Sequence, residues 1–275
     1  MKKTFLCLAA AFMAMTSANA QTDTRLFNHL SIGLNVGTPG IGADVAVPAT
    51  RFLDIQAGFS IMPKITYSTE IHPNLTAYKD AAAVVQQLGL DNVPIQGKLK
   101  MINGNVLINF YPIPLTSPLS SLHLTVGAYF GSSTVVEVYN KEEGQLNAIN
   151  QANEQIDSYN AFARAKGLEE QQRIGVKLGS YLLEPDANGN AKATLRTNNF
   201  KPYVGIGYGR AVPKGRIGFK VDLGVMFWGS PDVVDHNDVS LMKQDWDGKD
   251  GGAFRIISKF KVYPVLNFRV CGKIF

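Results

Sequence analysis

The residues best suited to chemistry lie close together in one acidic stretch of the chain. Asp232, Asp235, His236 and Ser240 fall within a single short segment. A carboxylate, an imidazole and a hydroxyl are the groups of a hydrolytic triad, and carboxylates with an imidazole can also hold a metal ion. Solvated acidic loops have the same composition, so composition alone does not make a site. We therefore predict no catalytic residue and no metal site here.

Two histidines elsewhere could act as general bases. His29 and His123 each stand at a polar position of a segment that alternates apolar and polar residues. A histidine in such a position more often bonds to a neighbouring carboxylate than carries a reaction. The segment Asp245–Asp250 lacks the spaced ligands and closing glutamate of an EF-hand calcium loop. The sequence contains no phosphate-binding loop, nucleophile elbow or paired-cysteine motif, so we predict no cofactor.

The element that would position these groups is clearest in Arg216–Trp228. Its odd-numbered positions from Ile217 to Phe227 are all apolar, whereas its even-numbered positions are mostly charged residues or glycine. Because successive side chains of a strand point to opposite faces, this pattern predicts a strand with one apolar and one polar face. The apolar face would point inward in a soluble sandwich and toward lipid in an outer-membrane barrel.

The same two-residue period returns along the chain. It occurs in the segments His29–Gly37, Ile41–Val47, Leu53–Ile61, Ile102–Phe110, Leu122–Gly131, Lys201–Arg210, Arg216–Trp228 and Phe260–Ile274. The second, fourth and sixth connections between them are short, and the third, fifth and seventh are long. Long loops on one side and short turns on the other are typical of outer-membrane barrels. We predict an all-β fold, an antiparallel up-and-down transmembrane β-barrel of about eight strands.

The long fifth connection, residues 139–199, is predicted to carry one helix and one hairpin on the loop side. Asn140–Gln172 has apolar residues at helical spacing and glycines near its ends. Those apolar positions are Leu146, Ile149, Ile156, Tyr159 and Ala163. Beyond it, Ile174–Leu183 and Ala191–Thr197 flank Asn188-Gly189, a strong turn signal, which predicts that the two flanks pair as a hairpin.

The first twenty residues predict export. Lys2 and Lys3 precede an apolar run that ends in small residues at Ala20, which is the pattern of a secretory signal peptide over residues 1–20, cleaved between Ala20 and Gln21. The remaining domain, residues 21–275, has one cysteine and no apolar run long enough for a spanning helix. Without the two lysines its net charge falls from +5 to near +3, with both signs interspersed, which argues against a nucleic-acid partner.

Charged side chains occupy the polar faces of several predicted strands. The predicted lumen network consists of Asp44, Asp54, Arg216, Lys220, Asp222 and Arg269. A barrel of about eight strands is just filled by its own side chains, so a wide pore is not expected. Since unpaired charge is costly in such an interior, we predict that these groups neutralise one another. An ion path or a polar binding site is the alternative.

Three segments resemble a known class of proteins. The signal ending Ala18-Asn19-Ala20, the glycine-rich strand Lys201–Gly209 and the terminal segment Asn267–Phe275 are similar to the small OmpA-like, porin-family outer-membrane β-barrels of Gram-negative bacteria. The resemblance implies an outer-membrane location, contact with outer-membrane lipid and insertion by the barrel-insertion machinery. In that family a terminal aromatic residue is the insertion signal, which Phe275 would supply. In that family the residues two and four positions before the terminal aromatic are hydrophobic and share its face. Here these positions hold Lys273 and Cys271.

These patterns favour a non-enzymatic, monomeric protein with a structural or surface-interaction role, whose loops meet an unknown extracellular partner. Two alternatives stay open. One is a barrel enzyme that modifies lipid or lipopolysaccharide, which would depend on His123 or His236. The other is a secreted lipocalin-like carrier, whose apolar faces would point inward and enclose a small molecule.

Overall fold

The fold is built almost entirely of antiparallel strands. The computed structural model describes residues 29–64, 66–71, 93–178, 181–241 and 261–274. In chain order the strands are β1 (Ser31–Gly37), β2 (Gly40–Thr50), β3 (Leu53–Ile61), β4 (Thr66–Ile71), β5 (Val93–Leu99), β6 (Ile102–Phe110), β7 (Leu122–Gly131), β8 (Thr134–Asn140), β9 (Val176–Leu178), β10 (Tyr181–Leu183), β11 (Lys192–Arg196), β12 (Phe200–Gly209), β13 (Ile217–Phe227), β14 (Asp232–Val234) and β15 (Val262–Lys273). One helix, α1 (Asn147–Lys166), lies between β8 and β9.

Eight of these strands form a closed antiparallel barrel. Around the barrel the order is β1-β15-β13-β12-β7-β6-β3-β2. The first and last strands close the ring by continuous pairing, from Ser31 opposite Lys273 to Gly37 opposite Asn267. Closure leaves the barrel without a free edge, because every barrel strand has a hydrogen-bonded neighbour on both sides. The predicted fold class is confirmed, and each barrel strand begins and ends within a few residues of its predicted segment.

The two faces of the barrel strands differ sharply in exposure, as β13 shows. Phe219 and Leu223 are 72% and 57% exposed, whereas Lys220 and Asp222 are 1% and 3% exposed. The apolar face therefore points outward and the polar face fills the barrel, which is the reverse of a water-soluble protein. A lipocalin-like carrier requires apolar faces that point inward, so that alternative is wrong.

Glycines make room for the large polar side chains inside the barrel. A Cβ atom at Gly33 would overlap the guanidinium of Arg269. A Cβ atom at Gly207 would overlap the His123 ring as well as the carbonyl of Val221 across the strand pair. The glycines at these two positions thus have a steric cause, because a Cβ atom there would overlap a large inward side chain.

A second sheet extends the barrel on its loop side. Its order is β14-β11-β8-β5-β4, and its strands follow or precede barrel strands along the chain. The end of this sheet and α1 enclose a separate apolar core. The buried residues of that core are Leu146, Ile149, Leu183, Ala191, Ala193, Val233 and Leu241. The described parts of the long loops therefore pack together beyond the barrel.

The helix α1 lies within the predicted segment Asn140–Gln172. It ends at Gly167, whose positive φ of 68° allows its N–H to bond back to the last helical carbonyls. Ile149, Ile156 and Ala163 are buried as predicted, but Tyr159 is 39% exposed. The buried face of the helix instead includes Asn153 and Asn160. Their side-chain amides bond to the backbone of Ile174 and Gln171 in the segment after the helix.

The predicted hairpin around Asn188-Gly189 is wrong in its pairing. The segment before it forms its own short hairpin, β9 with β10, while β11 pairs with β8 and β14. Between β10 and β11 the chain forms a turn that is held by Asp186, whose Oδ1 accepts the backbone N–H groups of Asn188 and Asn190 at 2.9 Å. This side-chain bonding is local, so the same residues form a tight turn without paired strands beside it.

Several predictions fall on other parts of the chain. The signal peptide, with its cleavage at Ala20 and Gln21, and the insertion signal Phe275 lie outside the described residues. On β15, Cys271 is buried and Val270 is exposed, which places the cysteine on the inward face. Within the described residues, no helix has the length and apolar character needed to cross a membrane.

Candidate functional site in the barrel interior

Asp44 is the first centre of a polar network inside the barrel. Arg269 approaches its Oδ1 with Nε at 2.7 Å and Nη2 at 2.5 Å. Asn35 Nδ2 and Gln56 Nε2 each donate to its Oδ2 at 3.0 Å. Through Nη1, Arg269 also donates to the carbonyl oxygen of Ala211 at 2.7 Å. The buried carboxylate is therefore both neutralised and hydrogen-bonded, as a buried charge requires.

Asp222 is the second centre. Lys220 Nζ lies 2.7 and 2.6 Å from its two carboxylate oxygens. His123 Nε2 lies 2.8 Å from its Oδ1, and Thr125 Oγ1 lies 3.3 Å from the same oxygen. The other ring nitrogen of His123 lies 3.2 Å from the carbonyl oxygen of Ser121. Each ring nitrogen of His123 therefore faces an oxygen acceptor, and one of these acceptors is the Asp222 carboxylate.

Gln56 joins the two centres into one network. Its Oε1 lies 3.4 Å from both Lys220 Nζ and Asn109 Nδ2, while its Nε2 bonds to Asp44. Thr125 Oγ1 donates to Asn109 Oδ1 at 2.9 Å. Every barrel strand except β12 contributes a side chain to these contacts. Gln56, Asn109 and Thr125 are not among the residues predicted for the network, although their inward place in the alternating pattern could have revealed them.

The network brings together four of the six charged residues predicted for the lumen. Asp44 pairs with Arg269, and Asp222 pairs with Lys220, so equal numbers of opposite charges meet. Arg216 does not take part, because β13 begins one residue later and the Arg216 side chain is exposed in the preceding turn. The prediction for Arg216 is therefore wrong, since the strand alternation does not extend to that position.

Asp54 belongs to a separate cluster at the short-turn end of the barrel. Its Oδ2 accepts the backbone N–H of Val212 at 3.3 Å, and the Tyr111 hydroxyl lies near its carboxylate. The backbone N–H of Ala211 donates to that hydroxyl at 2.9 Å. Both Ala211 and Val212 lie in the turn between β12 and β13, and both are buried. This turn therefore folds into the barrel and closes its end.

Tyr111 connects the closing turn to the rest of the interior. It follows the last residue of β6, and its ring lies 5.3 Å from that of His123 and 4.2 Å from the Arg210 guanidinium. Burial, together with the nearby Asp54 carboxylate, raises the pKa of Tyr111 well above its ordinary range. The hydroxyl thus keeps its proton and accepts the backbone N–H of Ala211 in the closing turn.

Removing this hydroxyl should weaken the closure. We expect Tyr111→Phe to lower the free energy of unfolding by about 1–3 kcal/mol, because the buried N–H of Ala211 loses its partner. Tyr208→Phe is the matched control, since Tyr208 is 53% exposed on the outer face. Urea titrations of both variants refolded in lipid vesicles measure the difference. Equal stabilities would contradict the role assigned to Tyr111.

An apolar and aromatic layer fills the barrel on the loop side of the network. Its buried members are Leu107, Tyr129, Tyr203, Met226 and Val265. The rings of Tyr129 and Tyr203 meet edge to face with centroids 5.5 Å apart. Side chains therefore occupy the interior on both sides of the ion pairs, as expected for a barrel of this size.

The acidic segment near the C-terminal third does not form a triad. Ser240 Oγ donates directly to Asp232 Oδ1 at 2.6 Å, with no imidazole between them. His236 Nε2 instead lies 2.9 Å from Asn237 Nδ2. Asp235 bonds to backbone N–H groups of its own turn. The Asp232 carboxylate and the Ser240 hydroxyl are hydrogen-bonded to each other. The His236 imidazole, the base that a triad would need, contacts Asn237 instead.

The described part of the chain contains no group of three or more side chains able to hold a metal ion. His29 lies just before β1 and is partly buried. The acidic segment Asp245–Asp250 lies outside the described residues.

These features define a small closed β-barrel whose interior holds a charge-balanced network of two ion pairs. No known protein family matches the chain, and no curated protein matches it. Among solved structures, CarO2 of Acinetobacter baumannii is similar with 16% identity and a TM-score of 0.47, over 89% of this chain and 98% of that one. CarO of the same organism has 13% identity and a TM-score of 0.45, over 88% and 96% of the two chains.

A third solved structure, described as a major outer membrane protein from Thermus thermophilus, has 11% identity and a TM-score of 0.34, over 90% of this chain and 98% of that one. Similarity at these levels does not identify a relative. The barrel fold is established by the strand pairing of the chain itself.

Proposed function

We propose that this protein is a non-enzymatic, monomeric β-barrel of the outer membrane of a Gram-negative bacterium, with a structural or surface-interaction role and no wide pore. The outward apolar face carries the proposal, because every barrel strand exposes large apolar side chains. One example from each strand gives Leu34, Ile41, Phe59, Ile102, Leu124, Ile206, Phe219 and Phe268, all at least 47% exposed.

The apolar outer surface of the barrel would be costly in water. Exposing apolar surface to water costs about 25 cal/mol of transfer free energy per Å². Soluble monomers therefore rarely expose a contiguous apolar patch larger than a few hundred Å². A belt around the whole barrel greatly exceeds such a patch, and lipid hydrocarbon removes its cost. The closed ring of hydrogen-bonded strands also meets the membrane's demand that backbone polar groups be satisfied internally.

The filled interior supports the absence of a wide pore. The turn containing Ala211 and Val212 closes one end, and the Tyr129–Tyr203 layer fills the interior toward the other. Between them the ion pairs of Asp44 and Asp222 span the barrel. A sugar molecule has no path through such packing, since protein interiors of this density contain few voids larger than a water molecule.

Solute entry into liposomes tests this part of the proposal. Liposomes that contain the refolded protein should swell in isotonic arabinose no faster than protein-free liposomes, while liposomes with a general porin should swell rapidly. The same liposomes should show no stepwise conductance of porin size in planar bilayers. Swelling that increases with the amount of inserted protein would contradict a filled barrel.

The loop-side domain supports a surface role. Helix α1 and the residue after its cap expose Tyr159, Phe162 and Leu168, at 39%, 54% and 52%. We assign this domain to the exterior, where it would meet an extracellular partner. The proposal also includes processing between Ala20 and Gln21 and recognition of Phe275 by the barrel-insertion machinery. The lipid-modifying alternative gains no support from the Asp232–Ser240 contact, which lacks a base.

A further inference from the structure

We propose that the loop-side end of the barrel interior binds a small inorganic anion, of the size of chloride, at Lys201. This lysine lies on the inward face of β12 and is 0% exposed. Its Nζ donates to Asn103 Oδ1 and to the carbonyl oxygen of Ser132, both at 3.0 Å. Both acceptors are neutral. An ammonium group has three donors, so these contacts leave one donor and the full charge unmatched.

Lys201 differs in this respect from the other fully buried cations of the barrel. Lys220 has the Asp222 carboxylate at 2.6 Å, and Arg269 has the Asp44 carboxylate at 2.5 Å. Among the residues that the structure describes, no carboxylate lies within ion-pair distance of Lys201. A buried ammonium without a counter-charge is costly, which indicates that an anion from solution supplies it.

Unpartnered polar atoms surround the same lysine. Three buried groups on the strands around it have no hydrogen-bond partner, and they are Ser60 Oγ, Asn103 Nδ2 and Asn105 Oδ1. Ser60 lies opposite Asn103 in the β3–β6 pair. Tyr129 lies opposite both Asn105 and Lys201 in its two strand pairs, which places Asn105 in the same row as Lys201. Asn103 and Ser60 lie two residues farther toward the loop side, where Lys201 Nζ reaches Asn103.

The placement of these atoms favours an anion over water alone. Buried polar groups almost always have partners, so three orphaned groups in two adjacent rows around Lys201 indicate a missing partner. Water could pair with them but would leave the ammonium charge uncompensated. A small anion can accept from Lys201 Nζ, Asn103 Nδ2 and Ser60 Oγ together, and a water beside it can donate to Asn105 Oδ1.

Bromide is a suitable probe because it resembles chloride and scatters X-rays anomalously. The thermal midpoint of the detergent-refolded full chain should rise and saturate as sodium bromide replaces sodium gluconate at constant ionic strength, since a ligand that binds only the folded state stabilises it. Lys201→Met should lose the saturating rise. Lys100→Met, which removes an exposed lysine paired with Glu137, should keep it.

A second variant protects the test from a folding defect. Asn103→Asp places a carboxylate where Asn103 Oδ1 now meets Nζ, so the variant should fold, gain stability in gluconate and no longer respond to bromide. Crystals of the wild type grown with bromide should show an anomalous peak within hydrogen-bond reach of Nζ, absent in Asn103→Asp. A linear salt effect shared by all variants, or no peak at Lys201, would overturn the proposal. Neither result bears on the membrane location.

Discussion

Arg269→Met should lower the free energy of unfolding by about 3–5 kcal/mol, the largest effect we expect from one substitution in this protein. The Asp44 carboxylate that it abandons is 0% exposed. Only the amides of Asn35 and Gln56 would still donate to it, and neither carries a charge. The Ala211 carbonyl would lose its guanidinium donor as well, which loosens the closing turn. Urea titration of the protein refolded into lipid vesicles, followed by tryptophan fluorescence, measures the loss.

Two further variants separate the buried charge from general effects of the substitution. Lys273→Met removes a cation from the same strand, but its Nζ only reaches the Lys214 carbonyl at an exposed site, so we expect a change within about 0.5 kcal/mol. Adding Asp44→Asn to Arg269→Met removes both charges and should recover part of the lost stability. If Arg269→Met were as mild as Lys273→Met, the interior would not be the dry, charge-balanced network described above.

A lysine placed on the outer face should have an effect that depends on its depth in the bilayer. Leu223→Lys, at the middle of β13, should cost about 2–4 kcal/mol, whereas Ile217→Lys, at the first residue of the same strand, should cost about 0–1 kcal/mol. Both native side chains are well exposed, at 57% and 70%. The costs differ because an ammonium at the end of the strand can reach the interface, while one at its middle must enter hydrocarbon.

The contrast between these two variants distinguishes a membrane barrel from a water-soluble one. In water, an exposed leucine or isoleucine can be replaced by lysine at nearly the same small cost at either position. Equal effects in vesicles would therefore contradict a lipid-facing belt. Unfolding titrations in vesicles of one defined lipid, with the same tryptophan signal, provide the comparison.

The barrel was predictable because its signal repeats in every strand. A period of two residues, with glycine or a polar side chain at alternate positions, recurs in the eight barrel strands and depends only on strand geometry. The same alternation placed Asp44, Lys220, Asp222 and Arg269 on one face before any contact was known. It could not say which charges would pair, because pairing depends on neighbours from distant parts of the chain.

The parts that escaped prediction depend on contacts rather than on period. Nothing in the residues near Ala211 indicates that this turn enters the barrel, since its partners Tyr111 and Asp54 come from other strands. Arg216 continues the alternation of its segment but lies just outside the strand. The pairing of β11 with β8 and β14, instead of with the segment before it, likewise depends on the sheet that the barrel strands extend.

Migration on a detergent gel, before and after boiling, tests most directly whether the protein is a closed barrel with its apolar face in outer-membrane lipid. Outer-membrane and soluble fractions from cells producing the full-length protein are run on a detergent gel, each with and without boiling. We predict a band in the outer-membrane fraction that migrates differently before and after boiling, because a closed barrel resists detergent until heated. A soluble periplasmic or secreted protein whose band does not shift would contradict the account.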